Sequence, residues 1–178
     1  FIISLPKILI LCFIFFNLLL IIIFYKKTIT EQSENSNTVT IGGSFDLIDE
    51  NENIVSSEKI EKFKIIYFGY TFCPDVCPFD ILKLSNFFSK NKDLIKYIQP
   101  IFITVDPERD TPIILKNFLE NFNQDIIGLT GSQTMVEDTL KKFKVYKKIS
   151  SNENESMNYL IDHTSLFYII DKKDKYIT

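Results

Sequence analysis

Two of the chain's three cysteines, Cys73 and Cys77, lie in the segment YFGYTFCPDVCPFD, and each is followed by proline. Two thiols at this spacing can close into a disulfide, or they can bind a soft cation such as Cu(I) as thiolates. A regular helix holds the Cβ atoms of residues i and i+4 about 5–6 Å apart, whereas a disulfide needs about 3.5–4.5 Å. The pair must therefore lie on a bendable loop if it forms a disulfide, and the spacing alone leaves both chemistries open.

The prolines predict the local structure of this segment. Pro74 disfavours a helical conformation at Cys73, which we therefore expect on a loop between a strand and a helix. Pro78 suits the first turn of a helix, so the helix is predicted to begin there with Cys77 as its N-cap. The free N–H groups and the macrodipole at a helix N-terminus favour thiolate, so we expect a lowered thiol pKa.

A metal bound by this pair would need a third ligand to complete its coordination. The chain contains a single histidine, His163, at a predicted strand break. If the sheet brings that break beside the cysteine loop, Cys73, Cys77 and His163 form a three-coordinate soft site. Such a site suits Cu(I) better than structural zinc, which usually takes four ligands. The alternatives are a histidine of the core or surface and a structural cysteine pair. Four aspartates near these segments are by default turn or cap residues, namely Asp75, Asp106, Asp110 and Asp162. Asp162 adjoins His163, so a role in supporting that ligand stays open for it.

The N-terminal region predicts a membrane anchor. The 17 residues ILILCFIFFNLLLIIIF, from Ile8 to Phe24, are apolar apart from Asn17 and would reach roughly 26 Å as a helix. No small-residue cleavage site follows, and the run is apolar on all faces. We therefore expect a retained single-span anchor over residues 1–27, with Cys12 facing lipid, rather than a cleaved signal or a core helix.

The remaining chain is organised as a polar linker, residues 28–37, and one domain, residues 38–178. Short extended runs with a polar turn at residues 49–53 predict an N-terminal β-hairpin. Strands then alternate with helices, which predicts an α/β sheet with helices on its faces. The predicted strands cover residues 63–69, 98–106 and 125–131, with one or two more within 159–171, and residues 150–158 are a predicted surface loop. The predicted helices cover residues 78–89, with Ile81, Leu84, Phe87 and Phe88 on one face, 112–122 after the N-cap Thr111, and 133–143 after the N-cap Ser132.

Four segments together resemble the Sco (SenC) copper chaperones. They are FGYTFCPDVCP, ITVDPERDTP, GLTGS and YLIDHTSLFYIID, which occur in the family's order across about residues 40–171. The combination of CPDVCP with DPERDTP is specific, whereas a lone pair of cysteines would not be.

The net charge of −3, with scattered charges, gives no sign of nucleic-acid binding.

The resemblance implies a thioredoxin-like domain, tethered to the inner membrane and exposed to the periplasm or the mitochondrial intermembrane space. It implies one copper ion held by Cys73, Cys77 and His163, as Cu(I), with Cu(II) left open, and a supporting role for the turn at residues 106–110. The implied partners are a thiol reductant and subunit II of cytochrome c oxidase, whose binuclear copper centre would receive copper or have its cysteines kept reduced. Lysine counts around the span weakly favour the opposite orientation, with a cytoplasmic C-terminal domain.

Two other hypotheses stay open. The cysteine pair could serve a thiol-disulfide oxidoreductase or a thiol peroxidase, although thioredoxins usually have two residues, not three, between their cysteines. The chain could also be a degenerate copy with a structural role, because the turn DKKDK, residues 171–175, lacks the glycine common in the family at that place.

Overall fold

The computed structural model of the chain describes residues 17–22, 40–123, 125–150 and 159–178. Residues 17–22, inside the predicted anchor, are helical; the rest of the anchor, the predicted linker and most of the predicted loop at 150–158 lie outside the described residues. Within the described ranges no helix has the length and apolar character of a membrane span. Thr40–Thr178 form a compact unit.

A six-stranded mixed sheet forms the centre of this unit, with the strand order β2-β1-β5-β4-β3-β8. Its strands are β1 (Asp46–Asp49), β2 (Ile54–Ser56), β3 (Phe63–Gly69), β4 (Ile98–Thr104), β5 (Ile127–Thr130) and β8 (Phe167–Ile170). β3, β4 and β5 are parallel, while β8 runs antiparallel to β3, and β1 antiparallel to β5. β6 (Lys147–Ser150) and β7 (Leu160–His163) form a separate antiparallel pair.

The central strands form where the sequence offers continuous apolar runs. In β3 the residues from Ile66 to Gly69 are buried, as are those from Pro100 to Thr104 in β4. Parallel strands are covered on both faces, so they lack the alternation of a half-exposed strand. The helices are α1 (Val76–Lys90), α2 (Pro112–Leu119) and α3 (Gln133–Phe143). The predicted α/β organisation is confirmed.

The predicted N-terminal β-hairpin is also confirmed. β1 and β2 pair antiparallel, with Leu47 opposite Val55. Asp49 closes the turn, because its Oδ1 accepts the backbone N–H groups of Asn51 and Asn53 at 2.9 and 2.8 Å. The hairpin joins the main sheet through β5, and Leu47 lies in the core with no exposed surface.

The helix boundaries differ from the prediction at two places. α1 begins at Val76 after the N-cap Asp75, so Cys77 lies inside the first turn and is not the cap. A proline is tolerated throughout the first turn, because the N–H that it lacks has no intrahelical partner there, so Pro78 did not define the start. α2 ends at Leu119, three residues before the predicted end.

The predicted N-caps Thr111 and Ser132 are confirmed, and Ser132 Oγ accepts the Met135 N–H at 3.2 Å. The predicted apolar face of α1 is correct for Ile81, Leu84 and Phe88, which are buried, but wrong for Phe87, which is 45% exposed.

The directions of the strands bring the cysteine loop and the histidine segment to the same edge of the sheet. The last residues of the parallel strands β3 and β4, Gly69 and Thr104, lie opposite each other, so the loops after both strands leave from the same edge. β8 runs the other way, and its first residue, Phe167, pairs with Tyr67 near the end of β3. The segment before β8, which contains His163, is thereby delivered to the edge that carries the cysteines.

Candidate metal centre

The buried thiol of the cysteine pair meets the only histidine of the chain. Cys77 Sγ lies 3.3 Å from His163 Nε2, although the two residues are 86 positions apart in sequence. Cys77 has no exposed surface, and His163, the last residue of β7, is partly buried. The predicted strand break at this histidine is confirmed, because β7 ends there and β8 begins at Phe167.

The environment of His163 settles which of its nitrogens carries the proton. Nδ1 lies 3.0 Å from the carbonyl oxygen of Thr164, and a carbonyl can only accept, so Nδ1 donates. Burial lowers the pKa of His163, which keeps the ring neutral at pH 7. Nε2 therefore presents its lone pair towards Cys77, as an imidazole that ligates a metal must do.

The predicted low thiol pKa is wrong for Cys77. Burial, reinforced by the neighbouring Cys73 thiol, raises the pKa of Cys77 from 9.0 to about 12. The helix N-terminus does favour thiolate, but removal of the sulfur from water opposes charge more strongly. In the metal-free protein Cys77 is thus a protonated thiol, whose S–H can donate to Nε2 of His163.

Cys73 occupies the more open part of the same loop. It is partly buried, its backbone N–H donates to the carbonyl of Tyr70 at 3.3 Å, and the residues from Pro74 to Val76 are exposed. Both thiols are free. Among the residues that the structure describes, no three His, Cys, Asp or Glu side chains stand close enough together to hold a metal ion. Cys77 and His163 thus form a preassembled pair, and Cys73 lies beside it on an exposed loop.

The donor set of these side chains fits a soft monovalent metal. Two sulfurs and a neutral imidazole nitrogen are the ligand types that Cu(I) prefers, and the nitrogen lone pair already points to one of the sulfurs. Hard cations such as Mg²⁺ prefer oxygen ligands, which two thiols and an imidazole do not supply.

The loop after β4 holds the cysteine loop in place through Asp110. Its Oδ1 accepts the hydroxyl of Thr71 at 2.6 Å, and its Oδ2 accepts the backbone N–H of Thr71 at 3.0 Å and the hydroxyl of Thr104 at 2.6 Å. Asp110 has no exposed surface, and burial raises its pKa. Thr71 precedes Cys73 by two residues, so this carboxylate fixes the point at which the cysteine loop leaves the sheet.

A second carboxylate, Asp80, supports the segment that follows His163. Its Oδ2 accepts the hydroxyl of Ser165 at 3.0 Å and that of Tyr67 at 3.2 Å. Although burial opposes it, hydrogen bonds from Lys83 and Ser165 hold the pKa of Asp80 below its usual value. Asp80 follows Cys77 by one helical turn, so it links the cysteine helix to the histidine segment.

Aromatic rings surround the imidazole. Tyr67 and Tyr70 meet the His163 ring edge to face, with centroids 6.5 and 5.8 Å away. The hydroxyl of Tyr70 accepts the backbone N–H of Ile161 at 3.2 Å, inside the strand that ends at His163. The two tyrosines therefore shield the ring from water and restrict its orientation.

Of the three predicted ligands, the structure brings Cys77 and His163 into contact, and Cys73 stays a predicted third ligand on the neighbouring loop; the residues that support them were missed. Asp106 and Asp110 are confirmed near the site, whereas Asp162 is exposed and accepts a hydrogen bond from Ser150, away from the sulfurs. Tyr67, Tyr70, Asp80, Arg109, Tyr159 and Ser165 were not predicted. Their contacts mostly join residues far apart in sequence. Four of them lie in segments that carry the family resemblance and could have been singled out there, namely Tyr70, Arg109, Tyr159 and Ser165.

The comparisons with known proteins agree on one family. The family model described as SCO1/SenC matches residues 33–178. A SCO2-like protein of Rickettsia prowazekii is 44% identical over 144 residues, which cover 78% of this chain and 68% of that protein.

Solved structures resemble the fold as well. ScoI of Bradyrhizobium japonicum, solved with copper bound, is 35% identical with a TM-score of 0.73, over 78% of this chain and 87% of that one. BsSco, described with a disulfide switch and as a member of the Sco family of cytochrome c oxidase assembly proteins, is 26% identical with a TM-score of 0.61, over 78% and 81%. These likenesses confirm the predicted thioredoxin-like α/β domain. The chain belongs to the SCO1/SenC family.

Proposed function

We propose that the protein binds one copper ion, as Cu(I), through Cys73, Cys77 and His163. The observation that carries this proposal is the 3.3 Å approach of His163 Nε2 to Cys77 Sγ, with the other ring nitrogen engaged by a backbone carbonyl. Copper bound in the related ScoI supports the same chemistry. Cu(I) would replace the thiol protons, while the loop segment from Cys73 to Asp75 brings the second sulfur to the ion.

A competition assay for Cu(I) tests this site. Because changes around a ligand shell alone commonly cost 10–100-fold in metal affinity, loss of a ligand in Cys73→Ala, Cys77→Ala or His163→Ala should cost more than about 100-fold. Cys12→Ala is the matched control, since this third cysteine lies in the predicted anchor, and it should bind as the wild type does. Unchanged affinity and stoichiometry in His163→Ala would refute the three-ligand site.

We propose further that the bound copper is delivered to the binuclear copper centre of cytochrome c oxidase subunit II during oxidase assembly. BsSco belongs to the same family and to the oxidase assembly proteins, which supports this role. The test mixes the copper-loaded protein with metal-free subunit II and follows the absorption of the binuclear centre. Formation of the centre at the same rate with free copper and with copper-loaded protein would count against a delivery function.

The same sulfurs support a redox role as a second function. A dithiol at Cys73 and Cys77 can reduce a disulfide of the partner by exchange: the partner gains two electrons and two protons, and these cysteines form a disulfide. Cys73 is the more exposed thiol and is therefore the expected attacking sulfur. A thiol reductant would then restore the pair. Copper binding and disulfide formation use the same sulfur atoms, so they exclude each other in time.

An assay with the oxidised form of subunit II separates reduction from copper delivery. If reduction is the main activity, Cys73→Ser no longer reduces the partner's disulfide, whereas His163→Ala still reduces it. General turnover of unrelated disulfides or of peroxide would instead favour the enzyme hypotheses.

We also propose that residues 1–27 anchor the protein in the inner membrane, with the copper domain in the periplasm or the mitochondrial intermembrane space. The apolar run from Ile8 to Phe24 supports the anchor, and family membership supports the orientation. Extraction of membranes with alkaline carbonate should leave the full chain in the membrane fraction and release a variant that lacks residues 1–27. Protection of the domain from protease added on the non-cytoplasmic side would contradict the orientation.

A further inference from the structure

One arginine joins the loop that carries Cys73 to the strand that carries His163. Cζ of Arg109 lies 3.6 Å from the ring centroid of Tyr159 and 4.9 Å from that of Phe72. Phe72 immediately precedes Cys73, and Tyr159 immediately precedes the strand β7. The guanidinium therefore contacts one residue from each of the two segments that must meet.

The arginine itself is held firmly in this position. Its Nε donates to Asp106 in an ion pair whose side chains are 5% and 3% exposed, and its Nη1 donates to the carbonyl of Tyr159 at 3.0 Å. The hydroxyl of Tyr159 donates to the other oxygen of Asp106 at 2.7 Å. Stacking on an aromatic ring combined with directed hydrogen bonds requires the planar fork of arginine, which lysine does not have.

The strand β7 needs such a link because the main sheet does not hold it. β7 pairs with β6 in a separate two-stranded ladder, so the hydrogen bonds of the six-stranded sheet do not set the distance from His163 to Cys77. Side-chain contacts at the start of β7 must contribute to that distance. Arg109 makes both a stacking and a hydrogen-bonding contact there, and it also contacts Phe72 of the cysteine loop.

We propose that Arg109 is a positioning residue for the copper site, acting through Phe72 and Tyr159 to hold His163 at the cysteine pair. The inference rests on the proposed copper-binding function and extends it to a residue that does not touch the metal. The proposal assigns its effect on copper to the placement of His163, which is what the experiment measures.

The experiment compares Cu(I) affinities of the full-length protein by competition with a chromophoric chelator. Arg109→Lys keeps the charge but loses the stacking and the planar fork. It should bind Cu(I) about 10- to 100-fold more weakly, the loss typical of changes to residues that support metal ligands without touching the metal. Tyr159→Leu removes the ring and should cause a similar loss. Tyr159→Phe keeps the ring under the guanidinium but loses the hydroxyl that donates to Asp106, so its loss of affinity should be smaller than that of Tyr159→Leu.

A double-mutant cycle distinguishes positioning from general damage. In the His163→Ala background Arg109→Lys should have almost no further effect on affinity, because its route to the metal is already lost. Equal fold-losses in both backgrounds would overturn the proposal. Since Arg109→Ala could fail to fold, the lysine variant carries the test, and its folding is checked by thermal unfolding without metal.

A matched control comes from the opposite end of β3. Ser57 has no exposed surface, and its hydroxyl donates to Asp174 at 2.8 Å in a cluster near Lys64, far from the sulfurs. Ser57→Ala should lower the unfolding temperature and leave Cu(I) affinity unchanged. If the wild type binds Cu(I) and His163→Ala weakens it while Arg109→Lys does not, only the positioning role is overturned. A wild type that does not bind Cu(I) overturns the proposed function and this inference together.

Discussion

A buried ion pair at the base of the domain allows a quantitative test of what stabilises it. Lys64, in β3, has no exposed surface, and its Nζ lies 2.7 Å from Oδ1 of Asp174, which is 4% exposed. The same ammonium also donates to the carbonyl of Asp171 at 3.4 Å, and Ser57 donates to the second oxygen of Asp174. Asp174→Asn keeps an oxygen acceptor and similar volume, so it removes the negative charge and little else.

The expected loss is large because an unpaired ammonium would stay buried. Breaking a buried ion pair by removing one partner costs about 3–5 kcal/mol. A domain of this size has a free energy of unfolding of about 5–15 kcal/mol, so this single substitution removes at least about a fifth of it. With about 4 kcal/mol lost and a urea dependence of about 2 kcal/mol per molar, the midpoint of urea unfolding should fall by about 2 M.

Urea unfolding of the metal-free protein, followed by circular dichroism, measures this effect. The matched control is Asp93→Asn, which breaks an ion pair with Lys96 whose side chains are 94% and 71% exposed. This control should change the free energy of unfolding by less than about 1 kcal/mol. The double variant Lys64→Met with Asp174→Asn removes both charges and should regain most of the stability. If Asp174→Asn cost no more than Asp93→Asn, water would reach the ammonium, and the reasoning from burial would be wrong.

Three further predictions concern the site and its helices. Because the pKa of Cys77 is raised in the folded state, the metal-free protein should lose stability as pH rises from about 9 towards about 12, where the unfolded chain ionises first. The wild type should lose more stability over that interval than Cys77→Ala, and equal pH profiles in urea unfolding would contradict this. A Cβ added at Gly69 would lie 2.9 Å from the Tyr67 ring and 3.2 Å from Cys77 Sγ. Gly69→Ala should therefore cost about 1–3 kcal/mol of stability in thermal unfolding and weaken Cu(I) binding, whereas a neutral result would mean that the ring moves aside. Ser132→Ala removes the N-cap of α3 and should cost about 1 kcal/mol in urea unfolding without altering Cu(I) affinity, whereas a change in affinity would connect α3 to the site.

The turn at residues 171–175 shows how a departure from the family pattern can be accommodated. The glycine common there is absent, yet Asp174 adopts the left-handed conformation with φ of 60°. Aspartate tolerates this region better than most residues. Its side chain pairs with Lys64 and its carbonyl accepts the N–H of Gly43 at 3.0 Å. The turn thus forms without a glycine, and Asp174 within it makes a buried ion pair with the core strand.

The thiol pKa shows where local reasoning failed. The proline after Cys77 and the helix N-terminus were both visible in the sequence, and both argue for a thiolate. Burial under the sheet edge was not visible, because it results from side chains such as Tyr67 and His163 that arrive from other strands. The desolvation of the sulfur exceeds the effect of the helix end, so the sign of the shift depended on tertiary packing.

The sequence by itself determined the residue types of the candidate site and most of the elements that carry them: the two cysteines after a buried strand, the lone histidine at a strand break, and the alternation of strands and helices. Local spacing and propensity suffice for these, because they involve neighbours along the chain. Only the tertiary structure decided that His163 meets Cys77, that Cys77 is a buried neutral thiol, and that Arg109 links the two segments. These outcomes depend on the antiparallel direction of β8 and on packing between residues up to about 90 positions apart, which no local pattern encodes.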